Sequence, residues 1–297
     1  MAAGQTQTVP VRPVLQPVRG AQLPAGARVA VNIAAIPAFA PVAIQLLSIV
    51  SQEYVGLEAL ASLIRADPAM TVEVLRLANS ALFGARREIT GILPAIAMLG
   101  LNRIKSMVMT VAIRDLLAPA RHSRVFAPCW RHSLATAFLA EEIATQSSLD
   151  RDNSYTAGLI HEVGQLGLLA ARPADYDELV RTSDEEGRSL VELEREWFGT
   201  DHREVGVRLI DRWKLPGHFR TVLAHGAASG GAAALVHTAC RLAEIMGFRV
   251  AGAAEEFDAA QLPGLPPDML REPAELEELM ASVATKINAV ECSLAMV

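Results

Sequence analysis

From "PVAIQLLSIV" at Pro41 onward, apolar residues recur three and four positions apart, and no stretch keeps up a β-branched alternation. Gly and Pro punctuate the pattern, so the chain is predicted to be all-α. In "IRADPAMTVEVLRLANSALFG", Asp67 is placed to accept hydrogen bonds from free N–H groups at a helix start. Pro68 brings its fixed φ to the first turn and Gly84 is predicted to end that helix. "LPAIAMLGLNRIKSMVMTVAIRDLL" predicts a helix opened by Pro94 and broken near Gly100. It resumes with Ile104, Met107, Val108, Val111 and Ala112 on one stripe, which leaves Arg103, Ser106, Thr110 and Arg114 outside it.

Past a connection around "APARHSRVFAP", the periodicity predicts helices at 129–147, 153–171, 173–186, 188–197, 201–214, 217–227, 231–247 and 274–291. "GLPPDMLREP" reads as a short linker or single turn, and no internal repeat of fixed period is present. The organisation expected is a Pro-rich tail over 1–38, an N-terminal helical part over 39–127, a second helical part over 128–250, and a linker and helix over 251–297.

Composition narrows the function classes. A chain of 297 residues that is 51% hydrophobic and 20% charged can bury a sizeable core. With 27 Lys+Arg against 33 Asp+Glu and a net charge of −6, it has no general attraction for phosphate backbones or anionic lipid, which argues against nucleic acid and membrane partners. No apolar run approaches the roughly 18 residues of a membrane span. The start of the chain lacks the basic and apolar regions of a secretion signal, so a cytoplasmic location is expected. Three widely spaced cysteines, Cys129, Cys240 and Cys292, form no disulfide framework and suit a reducing compartment.

Six of the seven histidines, His132, His161, His202, His218, His225 and His237, lie in the second helical part. Imidazole together with carboxylate suits zinc, iron or manganese and leaves room for a metal-bound water. A single helical histidine is more often a hydrogen-bonded, half-buried side chain than a ligand. The adjacent pair His161 and Glu162, in "GLIHEVGQLGLL", is a stronger candidate. Neighbouring helix positions point about 100° apart, so both reach one ligand only at a helix end or with help from other helices. A plain ion pair would satisfy the two buried groups equally well. Nucleophile-elbow, P-loop and dinucleotide-fingerprint motifs are missing, and Met107 and Met109 read as core filling.

Several segments in order carry a family resemblance: "DPAMTVEVLRLANSALFG", "ILPAIAMLGLNRIKSM", "CWRHSLATAFLAEEIA", "YTAGLIHEVGQLGLL", "EREWFGTDHREVGVRLIDRWKLP" and "LVHTACRLAEIMGF". Over roughly 39–250 the chain resembles the HDOD family, a degenerate branch of the HD superfamily of metal-dependent phosphohydrolases. The resemblance implies a multi-helical HD-like bundle with an N-terminal helical subdomain. It matches His132 and His161 to the family's histidine ligands, and His202 and His225 to histidines that bind additional metals in the related HD-GYP phosphodiesterases. Glu162 stands where the doublet aspartate is expected and Cys240 where the final aspartate is expected. Gly226 replaces a second histidine, Gln165 replaces a frequent lysine, and no "GYP" follows "LAHGAASGG".

With two acidic ligands changed together, the resemblance implies a vestigial pocket at His132, His161, Glu162, His202, His225 and Cys240, no catalytic residue, and no cofactor. Any ion still bound there would be a divalent metal such as Fe, Mn or Zn. The function expected is a stand-alone, non-catalytic bacterial signal-transduction module acting on signalling proteins, with Arg86, Arg87, Arg103, Lys105 and Arg114 as a contact surface. The alternative is a metal-dependent phosphohydrolase or phosphodiesterase. A cyclic dinucleotide effector has no motif behind it.

Overall fold

The computed structural model describes residues 31–49, 57–84, 87–224, 230–251, 262, 264–266, 269–270 and 273–295. Among these the chain is α-helical with two short 3-10 turns and no strand. The N-terminal helices are α1 (Pro41–Ile49), α2 (Leu57–Arg65), α3 (Pro68–Ala78), α4 (Ile92–Leu99) and α5 (Leu101–Leu116). The second set is α6 (Phe126–Ala144), α7 (Arg151–Ile160), α8 (Val163–Ala171), α9 (Pro173–Glu186), α10 (Leu190–Phe198), α11 (His202–Arg212), α12 (His218–Ala224), α13 (Gly231–Ile245) and α14 (Pro273–Ser293). Buried apolar side chains from Ile36 to Leu294 form one continuous core.

Local chemistry sets the helix ends. Asp67 accepts the Met70 N–H at 3.0 Å and Pro68 opens α3, as the sequence predicts. The end of α3 differs from the prediction: the helix stops at Ala78, not at Gly84. Asn79 intervenes, donating its amide to the Leu75 and Ile89 carbonyls at 2.9 and 2.8 Å and accepting the Ile89 N–H at 2.7 Å. A side chain that bonds to a distant loop competes with the next helical turn. Gly100, at φ +86°, separates α4 from α5 in a conformation open to glycine.

The predicted stripe of α5 is buried, and so are Ser106 and Thr110 outside it, because α7 covers their face as well. Their hydroxyls are satisfied internally. Thr110 Oγ1 donates to the Ser106 carbonyl at 2.8 Å and lies 3.0 Å from the Tyr155 hydroxyl, and Ser106 Oγ donates to the Asp152 carbonyl at 3.3 Å.

Helix α6 begins three residues before its predicted start. Asp177 of α9 reaches across to accept the Arg124 and Val125 N–H groups at 3.2 and 3.1 Å, a cap supplied from far along the chain. Helices α7, α13 and α14 surround α6. Arg131 holds α14 with a two-pronged bond to Glu291 at 2.9 and 2.7 Å. The last part of the predicted tail packs against the bundle. Ile36 and Phe39 are buried, Phe39 stacks on Trp213 at 4.9 Å, and Arg212 donates to the Ile33 and Ile36 carbonyls at 2.6 and 3.1 Å.

Candidate metal centre

The segment expected to be one helix over 153–171 is two, α7 and α8, and the interruption falls on His161 and Glu162. Glu162 leaves the helical region at φ −116°, ψ 32°. The break removes the angular restriction on adjacent helical residues, so both side chains turn toward α6 and α13. Glycines on either side hold the junction in place. A Cβ at Gly158 would lie 2.8 Å from Ala137 Cα and the Thr136 carbonyl oxygen, so α7 rests directly on the α6 backbone. A Cβ at Gly164 would overlap the His202 carbonyl and the Gly206 N–H, so α8 and α11 touch main chain to main chain.

His132 of α6, His161 and Glu162 of the junction, and Cys240 of α13 converge, with ligating atoms all within 4.8 Å of one another. His132 Nδ1 lies 2.6 Å from the Phe248 carbonyl and His161 Nδ1 lies 2.7 Å from the Gly158 carbonyl. A carbonyl only accepts, so each Nδ1 carries a hydrogen, and the His161 ring, neutral at pH 7, presents its Nε2 lone pair inward. The two Nε2 atoms are 3.3 Å apart. Glu162 sets Oε2 at 3.5 Å from His132 Nε2 and Oε1 at 3.9 Å from His161 Nε2, while Cys240 Sγ lies 3.6 Å from His132 Nε2. A thiol proton can serve one of these acceptors and no more. Two imidazole nitrogens, a carboxylate and a thiol facing one point are a donor set of the kind that holds a divalent cation.

Electrostatics agrees with that chemistry. Burial, helped by the neighbouring His132, pushes the His161 imidazole down to about 4 against the pull of Glu162, so it is neutral at pH 7. Burial works to raise the Glu162 carboxyl, but His132, His161, His202 and Arg203 together outweigh it and hold the group below its ordinary value. Burial, and then the Glu162 charge, raises the Cys240 thiol well above the usual range.

His202 faces the same cavity of about 260 Å³ as His161, Glu162 and Cys240 but lies outside the converging four. Glu194, fully buried on α10, accepts its backbone N–H at 2.8 Å and its Nδ1–H at 2.7 Å, and also the Tyr176 hydroxyl at 2.6 Å. Burial alone would lower His202; the bond and charge of Glu194 reverse this and raise it. Sequence reasoning missed Glu194. The available signal is a carboxylate on the apolar side of α10 beside Leu193, where it needs a partner.

The remaining histidines separate. His237 lines the cavity without joining the cluster, His218 packs on Phe219 at 4.1 Å beside a different cavity, and His225 lies outside the described residues, as do Gly226 and Arg86. The arginine surface expected from the sequence is corrected at three positions. Arg103 bonds inward to Glu141 and Asp152 at 2.5 and 3.1 Å, Arg114 reaches Glu73 at 3.1 Å, and Lys105 is buried. Arg87 is exposed. No helix among the described residues is long and apolar enough to cross a membrane.

Comparison with known proteins gives a consistent answer. A family model described as the HDOD domain matches residues 36–228. A Treponema pallidum protein described as uncharacterized is 27% identical over 164 residues, which cover 54% of this chain and 32% of that protein. The match thus spans about a third of that curated relative's length. An HDOD domain protein of unknown function from Geobacter sulfurreducens superposes with a TM-score of 0.73 at 25% identity, covering 86% of this chain and 92% of the other. A Shewanella amazonensis protein provisionally described as a phosphohydrolase shares the fold, with a TM-score of 0.68 at 20% identity over 88% of this chain and 96% of its own.

Proposed function

The chain belongs to the HDOD domain family, and from that premise we propose that it is a non-catalytic signal-transduction module that works by binding a signalling protein. The observation that carries this reading is the donor set at the α7–α8 junction. Of the four converging groups one is a carboxylate and one a thiol, where the resemblance expects two aspartates, so an ion there would have a single carboxylate to hold it and to steer a water. Binding needs a face as well as an inert pocket. The large apolar side chains most exposed among the described residues, Leu57, Val72 and Met98, all lie on the N-terminal helices α2, α3 and α4, which pack against one another. Exposed apolar side chains on these helices give a partner protein apolar footholds.

A second reading, phosphohydrolase activity, is favoured by the cavity beside the cluster and by the Glu194–His202 pair that faces it. In it His132, His161 and Glu162 would hold a divalent metal that lowers the pKa of water, and His202 would exchange a proton. The experiment that decides is turnover of bis(4-nitrophenyl) phosphate by the full chain loaded separately with zinc, manganese and ferrous iron. The proposal expects no rate above that of His161→Ala. Turnover by the wild type that His161→Ala abolishes would overturn it.

A further inference from the structure

We propose that the open N-terminal end of α13 and the wall of α7 beside it form a binding site for a small organic acid. Its carboxylate docks against the first turn of α13 and its apolar body lies between α7 and α12. The inference goes beyond the non-catalytic docking role and does not depend on it, because the site lies apart from the four converging side chains.

A cavity of about 320 Å³ lies between these three helices, lined by Asp150, Ser154 and Ala157 on the α7 side, Val222 of α12, and Ala232 and Ala233 of α13. Its volume sits at the small end of the roughly 300–1,000 Å³ range of ligand pockets. Only Val222 is shared with the lining of the cavity beside the metal cluster.

The helix end is the first argument. An α-helix leaves its first N–H groups without intrahelical partners. In α13 nothing replaces them: the N-cap is Gly230, no side chain caps the helix, and no acidic residue stands in its first turn. Among the described residues no group accepts the Gly231, Ala232 or Ala233 N–H. A Cβ at Gly230 or Gly231 would meet nothing within 4 Å, so the space beside this end is open.

Ser154 is the second argument. It is 3% exposed and lines the cavity, yet its hydroxyl has no hydrogen-bond partner among the described residues. The buried hydroxyls of Ser106, Ser133 and Thr156 all reach a main-chain carbonyl. A buried hydroxyl left without a partner costs free energy, which a ligand oxygen in the cavity recovers.

The wall selects the class of ligand. One carboxylate oxygen suits the α13 N–H groups and the other accepts the Ser154 hydroxyl hydrogen. Asp150 is engaged by the Asn153 N–H at 2.8 Å and the Asn102 amide at 3.4 Å, and its charge opposes a doubly charged phosphate more than a singly charged carboxylate. Leu149, Ala157, Val222 and Ala233 give the wall an apolar stretch for the rest of the acid, and the exposed His218 and Thr221 also line it.

The full chain, isotope-labelled, is titrated with hexanoate, hexanol and inorganic phosphate and followed by amide NMR. Hexanoate is expected to shift the Gly231, Ala232 and Ala233 amides to saturation, and the other two are not. Ser154→Ala should weaken hexanoate binding by at least about tenfold, the loss of one hydrogen bond to a charged group. Ala232→Asp puts a carboxylate into the first turn of α13, where it complements the helix dipole, so this variant should melt no lower than the wild type and yet lose the hexanoate shifts. The pair of readouts separates binding from folding. Absence of saturable shifts with hexanoate, equal saturation by hexanol, saturation by phosphate alone, or an affinity unchanged by Ser154→Ala would overturn the site. Each of those results leaves the non-catalytic reading to stand or fall on phosphodiester turnover, which is measured separately.

Discussion

Glu194 accepts both the backbone N–H and the ring Nδ1–H of His202, at 2.8 and 2.7 Å, from a position without solvent exposure. Its charge overcomes the burial that would otherwise lower the imidazole. In Glu194→Gln the His202 titration, followed by NMR, is therefore expected to fall from above the ordinary histidine value to below it. Wild-type His202 contributes stability that is complete below its unfolded value and disappears as pH rises through the raised folded value. Glu194→Ala also strands Tyr176 and should cost about 3–5 kcal/mol in urea denaturation.

His161 gives a slope of the opposite sign. Its folded value is about 4, below the ordinary histidine value, so in acid the unfolded chain takes up a proton that the folded chain refuses. Chelator-treated protein should lose on the order of 3 kcal/mol as pH falls from about 6.5 to about 4. Glu162, also held low, adds to the loss further into acid. Urea denaturation across this range should be flatter for His161→Asn. An unchanged slope in that variant would remove His161 as the cause.

Gly164→Ala should be among the most damaging substitutions in the chain. The added methyl meets the His202 carbonyl and the Gly206 N–H, both main chain and unable to move aside without parting α8 from α11. A loss of at least about 4 kcal/mol is expected, at the upper end for a single substitution. Gly187→Ala, in an open left-handed turn, tests the comparison: it should cost only about 1–2 kcal/mol. Circular dichroism melts of the two variants rank them directly.

Phe39→Ala removes a fully packed ring from Trp213 and should destabilise the protein by about 3–5 kcal/mol. Arg212→Ala frees the Ile33 and Ile36 carbonyls and should cost less, about 1–3 kcal/mol. Limited proteolysis should then cut ahead of α1 sooner in both variants. Equal resistance to the wild type would show that these bonds do not hold the segment.

The all-helical fold was legible because apolar spacing, the Asp67 cap and the Gly100 break are local signals. The resemblance of several ordered segments brought His132, His161, Glu162 and Cys240 together on one site, and these four do converge. The break between α7 and α8 was not legible. Gly, Leu and Ala around the doublet carry no strong local stop signal, and the interruption lies between two remote close approaches, of α6 to Gly158 and of α11 to Gly164, that no local pattern shows. The burial of Ser106 and Thr110 was not legible for a related reason: apolar spacing marks one buried face and carries no sign that a second helix, α7, covers another. Arg103 and Arg114 read as surface charges because Glu141, Asp152 and Glu73, which neutralise them, are remote in sequence.

The carbonyls of Gly158 and Phe248, and no side chains, dictate the tautomers of the two inward rings. Replacing Phe248 leaves its carbonyl in place, so ring orientation is insulated from side-chain drift at that position and yields only to movement of the backbone. Homologous chains can therefore diverge at this second contact without losing the alignment of the imidazoles, and residue identity there is a poor guide to whether the alignment survives.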